Sequence, residues 1–588
     1  MKTETNDKLI HKLFLTLLPI QALAVGLPAI NSLLNSFIIG NFISAEALAA
    51  VGFAGPLQFI LLAINSTIAI GAQMYCGNCL GNGDRKGVLK SFNSAFFLCI
   101  VFGVTVSALC GFFPKQIAVV IGASEESLAD TADYIRGLSF GMTFSMLSAC
   151  VLSFLQMDRA GKLSSASVTV MLILNIGINL LNVFVLKLGL FGVGLSTSIA
   201  NIASVLLCLP YFAFRSKSFR FSLKSVTANT VGRILYLGIP SAVAPVGFAL
   251  RDSIVNRILF ALGGTVAMSA VAIAISLSNC IGSTIEGGYS GSANLLSSVL
   301  VGERDSDSLR KLPHTMIRSI CYIYFIAYAL LFAFARPLAL LFGAEPENIG
   351  VYVTAVRVLN LWYLSNSFKT PTICIYRAMG LVKTVSILYA LNAFAFPVSF
   401  VLATRGLLGA SAVFAMPLAS EVLLVAAYIV YYVMKTHGVP KSLFDITHIP
   451  DSLSAAPEDR LSATVQTTEE ATALSQKVVD FCRSKGLPSR TAYFCGLCLE
   501  EMTVDTILHG FTRGKPGQYS IDLRVIYEDG GVSVMLRDDC PNFDPTEWLK
   551  LYAPEDPSRS IGIRMVSEIA EEMNYVSTVG LNVLTIKL

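Results

Sequence analysis

Charged residues are scarce in this sequence. Asp, Glu, Lys and Arg make up only 14% of its 588 residues, hydrophobic residues make up 54%, and the mean hydropathy is +0.65. Such a composition excludes an ordinary soluble protein of this length and indicates a polytopic membrane protein that has the lipid bilayer as its main partner. The formal net charge of +4 is small, so we expect no nucleic-acid partner.

Metal-ligand patterns are also missing. The thirteen cysteines include two C-x-x-C pairs, Cys76 with Cys79 and Cys495 with Cys498, but neither has a second pair or a histidine at ligand spacing. We interpret the cysteines as reduced packing thiols. The chain lacks the Walker A pattern G-x-x-x-x-G-K-[ST], and its N-terminal apolar run lacks a small-residue cleavage site. We therefore predict neither a P-loop motor nor a cleaved signal peptide.

Long apolar segments run from about Leu13 to Met434. With about twenty residues for each crossing of the bilayer, we predict about twelve spans. They lie near 13–40, 47–75, 91–112, 134–156, 164–186, 192–214, 235–261, 266–300, 319–341, 352–376, 384–403 and 409–434. Lys and Arg are concentrated at the termini and on alternate loops, so we predict both termini on the cytoplasmic side of the cytoplasmic membrane of a bacterium.

The membrane part resembles itself after 221 residues. "LPIQALAVGLPAINSLLN" and "IPSAVAPVGFALRDSIVN" begin the two similar halves. The matching positions are Pro19 with Pro240, Asn35 with Asn256, Gly81 with Gly302 and, at nearly the same offset, Gly161 with Gly380. We predict two parallel six-helix repeats, a first lobe at 1–220 and a second lobe at 221–437, with a substrate cavity between them.

Motifs in both halves resemble those of the multidrug and toxic compound extrusion (MATE) transporters. They are "NSFIIGNFISAEALAAVGFAGPL", "GAQMYCGNCLGNGDRKGV", "FLQMDRAGK", "NIGINLLNVFVLKLGLFGVGLSTSIA" and "LGGTVAMSAVAIA". The resemblance covers about residues 10 to 435. It implies a V-shaped pair of six-helix lobes that exports organic, often cationic compounds in exchange for Na⁺ or H⁺.

The sequence departs from this family at the cation site of the first lobe. Where the family has aspartates in its first and fifth spans, this chain has Asn35 and Asn179, and the asparagine at Asn175 is retained. An amide oxygen can ligate a cation, but it is uncharged and exchanges no proton near neutral pH. Two interpretations stay open: sodium coordination by neutral oxygens, and amides that only hydrogen-bond across helices.

Ionisable residues at membrane depth are costly and mark function by default. The candidates are Arg251, Asp252, Arg257, Glu286, Lys369 and Glu421. Asp252 and Glu286 are the carboxylates near the middle of adjacent spans in the second lobe, so we propose them as coupling groups. In the alternative interpretation Asp252 pairs with a neighbouring arginine and Glu286 with Lys369, and these ion pairs only fix the packing.

A polar linker at 438–464 leads to a soluble domain at 465–588, which is long enough for its own core. We predict helices at 471–485, 489–511 and 561–572, strands at 519–527, 531–538, 573–577 and 582–587, a further strand late in the linker, and a loop of about twenty residues before 561. The pattern predicts a cytoplasmic α+β sandwich, with helices on one face of an antiparallel sheet.

Chemistry-bearing residues recur at fixed places in this domain. In "LCLEEMTVDTILHG" the side chains of Glu501 and Asp505 share one helical face. Asp538 ends a strand in "RDDCPNFDP", and Gly562 in "SIGIRM" opens a helix whose N-terminus is a natural phosphate site. The carboxylates on one helix, the acid at a strand end and the glycine that opens a helix form a constellation, whereas any one of them alone would be a weak signal.

This constellation resembles the GHKL (Bergerat-type) ATP-binding fold, and in particular the anti-sigma-factor serine kinases. The resemblance implies that Glu501 is a general base, that Asp505 replaces the Mg²⁺-binding asparagine, that Asp538 binds the adenine amino group, and that Gly562 belongs to the "GxGL" box. Cys540 and Ser560 stand where the family has glycines, and their side chains would crowd the nucleotide.

Together these features predict a MATE-type, Na⁺- or H⁺-coupled antiporter for organic, drug-like compounds. A C-terminal domain that binds ATP and Mg²⁺ would regulate it or signal through it. The alternative is a membrane-anchored signalling protein, in which the MATE-like part senses a ligand and the GHKL domain binds or phosphorylates a cytoplasmic partner of the anti-sigma-antagonist type. Serine kinase activity stays an open question.

Overall fold

A computed structural model gives the fold of the chain as a helical membrane part followed by a small α+β domain. The structure describes residues 7–43, 47, 50–51, 54–121, 125, 127–216, 219–341, 344, 346–511, 519–528, 530–541, 543–552, 561–578 and 581–588. The N-terminal residue Lys2 and the loop residue Lys217, which both contributed to the predicted topology, lie outside these ranges.

Long apolar stretches form the helices of the membrane part. These are α1 Asp7–Phe42, α2 Gly55–Gly81, α3 Arg85–Phe112, α4 Pro114–Val120, α5 Leu128–Ser139, α6 Met142–Met157, α7 Gly161–Leu181, α8 Gly189–Pro210, α9 Ala228–Leu277, α10 Ser283–Gly302, α11 Ser306–Ala333, α12 Ala335–Leu341, α13 Ile349–Leu359, α14 Trp362–Ala378, α15 Val382–Ala390, α16 Phe396–Leu408 and α17 Ser411–Thr436. Helix α9 contains a sharp bend at Gly264, where φ is +59°, and this bend separates two predicted spans.

Among the described residues, ten helices are long and apolar enough to cross a membrane, and the count is eleven if the bent pair α5 and α6 is one span. The fold class that the sequence predicts, with its helical repeats and small C-terminal sandwich, is confirmed. The predicted span at 352–376 is divided between α13 and α14. These helices have 11 and 17 residues, so each is shorter than the roughly 20 residues that a span needs.

The repeat is visible in the loops on the side of the membrane part that faces the C-terminal domain, which we call the domain side. Asp84 and Asp305 are 221 residues apart, and each accepts a hydrogen bond from a backbone N–H of the helix that follows it, at 2.8 and 3.0 Å. The residues before them, Gly83 and Arg304, both have positive φ angles, +71° and +52°. The two lobes therefore share one turn geometry here.

A second pair of loops corrects the alignment that the sequence indicates. Arg159 has a φ of +60° and Gly380 a φ of +75°, and these two residues are also 221 positions apart. The backbone therefore aligns Gly380 with Arg159, and not with Gly161 as the sequence pattern indicates.

The two lobes meet at the domain side. Gly81 ends α2 in the first lobe and Gly302 ends α10 in the second. A Cβ atom added at Gly81 would clash with the carbonyl of Val299, and one added at Gly302 would clash with the carbonyl of Asn78. Glycine lets the two helices approach closely, so the equivalent glycines of the repeat close this side of the interface.

The C-terminal domain contains a five-stranded antiparallel sheet of order β1-β2-β3-β5-β4. Its elements are β1 Arg460–Val465, α18 Thr468–Ser484, α19 Ser489–Gly510, β2 Ile521–Glu528, β3 Gly531–Asp538, α20 Pro545–Tyr552, α21 Ile561–Ile569, β4 Glu572–Thr578 and β5 Leu581–Lys587. Strand β1 begins inside the predicted linker. The expected loop before 561 contains α20, because "PTEWLKLY" combines a helix-starting proline with apolar residues at helical spacing.

The two faces of the sheet have different partners. Alternate residues such as Leu523, Leu536 and Leu584 face α18 and α19 and form the core of the domain. On the opposite face, Val576 and Leu581 belong to the same apolar core as the ends of α1 and α10. The membrane part therefore covers the face of the sheet that the domain's own helices leave open.

Candidate functional site

The predicted residues of the first lobe lie together. Nδ2 of Asn179 donates hydrogen bonds to Oδ1 of Asn35 at 2.8 Å and to Oδ1 of Asn175 at 3.1 Å. Ser196 donates to Oδ1 of Asn179 at 2.5 Å, and Nδ2 of Asn175 donates to Thr197 at 3.0 Å. Each amide thus has partners within a neutral cluster, an arrangement that needs no cation to be satisfied.

Glu286 is the centre of a polar cluster in the second lobe. Its carboxylate accepts hydrogen bonds from the hydroxyls of Tyr324 at 2.9 Å and Thr370 at 3.1 Å, and from Nδ2 of Asn366. All three partners are buried. Its oxygens are the acceptors that sodium or a proton would use, so this cluster could hold a coupling cation.

Four of the other intramembrane charges form two ion pairs, and Arg257 is exposed. Asp252 lies 2.7 Å from the guanidinium of Arg251, and its side chain is 46% exposed. Lys369 lies 2.8 Å from Glu421, and both side chains are largely buried. Asp252 therefore has the neighbouring arginine that the packing alternative expects, whereas Lys369 forms its ion pair with Glu421 rather than with Glu286.

In the C-terminal domain, Glu501 and Asp505 lie on α19 next to the first turn of α21. A Cβ atom added at Gly562 would force the flexible carboxylate of Glu501 to move, so glycine lets this carboxylate lie directly against the first turn of α21. Asp505 lies 3.7 Å from His509, and burial raises the pKa of Asp505. The predicted glycine therefore lies next to Glu501 of the predicted acidic pair.

Asp538 ends β3 on the helix side of the sheet and is buried. Its Oδ1 accepts hydrogen bonds from the backbone N–H of Cys540 at 2.8 Å and from Nδ2 of Asn582 at 2.7 Å. Burial raises the pKa of Asp538, and these two donors act in the opposite direction. Cys540 packs against Gly510 at the end of α19, which brings the end of β3 next to the helix that carries the acidic pair.

These residues fit a magnesium nucleotide. Among the described residues no group of three or more His, Cys, Asp or Glu side chains could hold a metal. Mg²⁺ usually binds one or two carboxylates together with phosphate oxygens and water, so Asp505 would suffice once the phosphates are present, with Glu501 left as the general base. Ser560, which replaces a glycine of the phosphate box, lies outside the described residues.

Comparison with known proteins decides the family. The sequence model of the MatE family matches residues 22–181 and 240–404, more than half of the chain. The chain belongs to the MatE family. Multidrug export protein MepA of Staphylococcus saprophyticus is 23% identical over 416 residues, which cover 70% of this chain and 90% of that protein. MepA of Staphylococcus aureus is 23% identical over 415 residues, with the same coverage.

Solved MatE structures have the same fold. An outward-facing multidrug resistance MATE transporter is 18% identical, covers 74% of this chain and 98% of its own, and has a TM-score of 0.68. A transporter from Pyrococcus furiosus, described by the reverse polarity of its binding pocket, has a TM-score of 0.67 at the same identity and coverage. Residues 464–588 match the histidine kinase-like ATPase domain, which confirms the GHKL-like character of the C-terminal domain.

A charge cluster that the sequence did not reveal joins this domain to the second MatE lobe. Arg537 of β3 lies 2.8 Å from Glu303 and 3.1 Å from Asp305, in the loop between α10 and α11. Arg524 of β2 lies 3.7 Å from Asp305 and donates to the carbonyl of Glu303 at 3.3 Å. Asp522 of β2 completes the cluster, 3.3 Å from Arg537.

Burial makes this cluster energetically important. The side chains of Arg537, Arg524 and Asp305 are at most 3% exposed. Burial alone would raise the pKa of Asp305, but the two guanidiniums and Ser308 hold it well below its usual range. Burial raises the pKa of Glu303, and Arg537 offsets only part of this effect. The paired charges depend on one another, and removal of one would leave others buried without compensation.

The first MatE lobe contacts the same domain through three basic residues. Lys12 forms an ion pair with Asp539, and Arg85 lies 3.1 Å from Asp544. Arg159, in the loop between α6 and α7, donates to Oδ1 of Asn582 at 2.8 Å. The domain therefore bridges both lobes on the side where the lobes meet.

One signal in the sequence could have indicated this interface. Asp522, Arg524 and Arg537 alternate with apolar residues in strands β2 and β3, so they had to lie on the face away from the domain's helices. The acidic partners Glu303 and Asp305 lie more than two hundred residues earlier, and no local pattern connects them to the strands.

Proposed function

We propose that this chain is a MATE-type, cation-coupled antiporter that exports organic, drug-like compounds, and that its C-terminal domain binds ATP and regulates transport. The observation that supports this proposal most strongly is the position of the domain. One face of its sheet is buried against both lobes, next to the glycines where the lobes pack together. A domain that bridges two moving lobes changes the free-energy difference between their open and closed arrangements.

Glu286 is the coupling group in this proposal. It is a carboxylate among three hydrogen-bond donors, whereas the cluster around Asn179 in the first lobe consists of neutral amides and hydroxyls. Neutral oxygens bind sodium weakly and carry no proton near neutral pH, so a charged coupling site is favoured in the second lobe. Asp252, half exposed and paired with Arg251, is the weaker candidate.

Asp538 would accept a hydrogen bond from the adenine amino group, and Gly562 would let phosphate approach the start of α21. Asp505 would hold Mg²⁺, which would neutralise phosphate charge, and Glu501 would be the general base of any phosphoryl transfer. Basic residues on the domain-side loops support a cytoplasmic location for this domain and for both termini, in the cytoplasmic membrane of a bacterium. ATP is then available on the side where the domain lies.

Uphill efflux of an organic cation such as ethidium from proteoliposomes tests the transport part. Wild-type protein should drive export under an imposed Na⁺ or H⁺ gradient, and Glu286→Gln should lower gradient-driven export at least about tenfold. Asp252→Asn is the matched control, because it also converts a carboxylate to an amide but leaves the Glu286 cluster intact. Full coupling in Glu286→Gln would exclude this residue as the coupling group.

The neutral cluster of the first lobe favours a second candidate. Asn35, Asn175 and Asn179 satisfy one another with Ser196 and Thr197, so this lobe does not need a cation for its packing. A ligand-sensing membrane part that signals through the domain, by binding or phosphorylating an anti-sigma-antagonist-type protein, would have no need for coupling. Absence of uphill efflux in the presence of ligand-dependent ATP binding would favour this candidate.

A further inference from the structure

A side chain of the first lobe reaches the candidate adenine site. Nη2 of Arg159 donates to Oδ1 of Asn582, a buried residue that lies opposite Asp538 in the pairing of β3 with β5. Nδ2 of Asn582 donates in turn to Oδ1 of Asp538. A single amide therefore connects the membrane part to the carboxylate that would recognise adenine.

Asn582 uses its full hydrogen-bonding capacity. Besides these two contacts, its Nδ2 donates to the carbonyl of Cys540 at 3.0 Å, and its Oδ1 accepts from the hydroxyl of Tyr575 at 2.8 Å. A primary amide has two donor hydrogens and two acceptor lone pairs, so all four positions are occupied. A flipped amide would direct its N–H groups at two donors and its oxygen at a carboxylate and a carbonyl, so Arg159 helps to fix the orientation observed.

We propose that Arg159 is a positioning residue of the ATP site, so that docking of the domain on the first lobe and binding of ATP strengthen each other. This inference rests on the proposed binding of ATP. With its oxygen held by Arg159, Asn582 keeps its N–H directed at Asp538 and stabilises the ionised carboxylate, the form that accepts most strongly from the adenine amino group. Coupling of this kind is reciprocal, so ATP favours the docked domain by the same factor.

The coupling between ATP binding and docking predicts how ATP affects transport. The domain holds the second lobe through the buried cluster around Arg537 and the first lobe through Arg159, Arg85 and Lys12. If the lobes separate on the domain side, the domain must lose its contacts either with the first lobe or with the second lobe. ATP therefore opposes opening of that side and slows the transport cycle.

The position of Arg159 in the repeat makes the contact specific to one lobe. Its equivalent in the second lobe is Gly380, which has no side chain to offer. Arg304 provides a matched control, because it also has a positive φ, also lies in a domain-side loop, and also contacts the domain, at 2.7 Å from Glu528. Its contact is exposed and involves neither Asn582 nor Asp538.

The test measures affinity for a non-hydrolysable ATP analogue with Mg²⁺, using the full chain in lipid nanodiscs. We expect Arg159→Gln to weaken binding about five- to tenfold, the effect of losing one charge-assisted hydrogen bond. Arg304→Gln should change it less than about twofold. In an Asn582→Ala background, Arg159→Gln should have no further effect, because its proposed partner is absent.

Hydrogen exchange of the same samples provides a second readout. The ATP analogue should increase protection of the loop at 158–160 and of β5 in wild type and Arg304→Gln, and not in Arg159→Gln. Equal affinity of Arg159→Gln and wild type, or equal losses in the two glutamine variants, would overturn the inference and leave ATP binding intact. No binding by the wild-type chain would instead overturn the proposed nucleotide function, and the inference with it.

Discussion

Arg537 and Asp538 are neighbours on β3, yet they face opposite sides of the sheet. Arg537 is buried in a charge cluster with the loop between α10 and α11 of the membrane part. Asp538 is buried on the helix side, beside the candidate nucleotide residues. In the proposed function, one strand end therefore carries both the attachment to the transporter and the recognition of the nucleotide.

The largest expected effect is on docking of the domain, and it comes from the face of the sheet that packs against the membrane part. Arg537→Ala would leave Glu303, Asp305 and Asp522 with less compensation, at a cost of about 3–5 kcal/mol to docking. Faster hydrogen exchange in β2, β3 and residues 303–308 of the full chain would report the undocking. Lys587→Ala, which removes an exposed ion pair with Glu572 inside the domain, should leave this exchange unchanged. Unaltered protection in Arg537→Ala would contradict the role of the cluster.

The next largest expected effect is on ATP affinity, and it comes from Asp538 on the helix side of the sheet. Asp538→Asn replaces a charged acceptor by an amide and should weaken ATP binding by about 1.5–3 kcal/mol, roughly ten- to a hundredfold. Docking should change little, because this side chain does not contact the second lobe. Titration calorimetry on the full chain measures the affinity, and hydrogen exchange of residues 303–308 measures docking. If Asp538→Asn weakened docking as strongly as Arg537→Ala, the two faces of the sheet would not have separate roles in docking and in nucleotide binding.

Acidification should change ATP affinity and docking of the domain in opposite directions. The pKa of Asp538 is raised by burial, so the carboxylate is protonated at a higher pH than an ordinary aspartate, and ATP affinity should fall as the pH decreases through that raised value. The loss is at most about tenfold per pH unit for one group. The pKa of Glu303 is also raised by burial, and proton uptake there favours the docked form.

ATP titrations and hydrogen exchange between pH 7.5 and 5.0 check both signs. Asp538→Asn should lose the part of the pH dependence that Asp538 contributes, whereas Asp505, whose pKa is also raised by burial, keeps its own part. A decline in docking that parallels the decline in ATP affinity would contradict the assignment of opposite signs.

The smallest effect is expected at the exposed contacts of the first lobe. Arg85→Ala removes an ion pair with Asp544, in which the arginine is half exposed, and a hydrogen bond to the carbonyl of Tyr575. Such pairs contribute about 0.2–1 kcal/mol, so docking should weaken less than about fivefold, and less still at high salt. Hydrogen exchange of β4 at low and high ionic strength measures this. A loss as large as that in Arg537→Ala would mean that the first lobe, and not the second, anchors the domain.

Much of this architecture could be predicted from the sequence, because it depends on local patterns. Apolar length predicts the spans, and the 221-residue offset predicts the repeat that the caps Asp84 and Asp305 display. The motifs around Glu501 and Asp538 predict the family of the domain. Each of these features depends on residues that are close together in the sequence, where periodicity and spacing determine structure directly.

The attachment of the domain could not be predicted in the same way. The alternation of Arg524 and Arg537 with apolar residues indicates only that a face of the sheet carries charge. Its partners Glu303 and Asp305 become neighbours through the fold of both parts. Asn582 was missed because an asparagine near the C-terminal end has no motif of its own, and its role depends on a lobe residue more than four hundred positions away.

The most direct test of the account is the response of efflux to ATP in proteoliposomes of wild type and Arg537→Ala, with the C-terminal domain facing the nucleotide. We predict that ATP slows gradient-driven efflux by the wild-type protein, and that Arg537→Ala keeps basal efflux but no longer responds to ATP. An equal response of both proteins to ATP would contradict the claim that the docked domain controls the lobes.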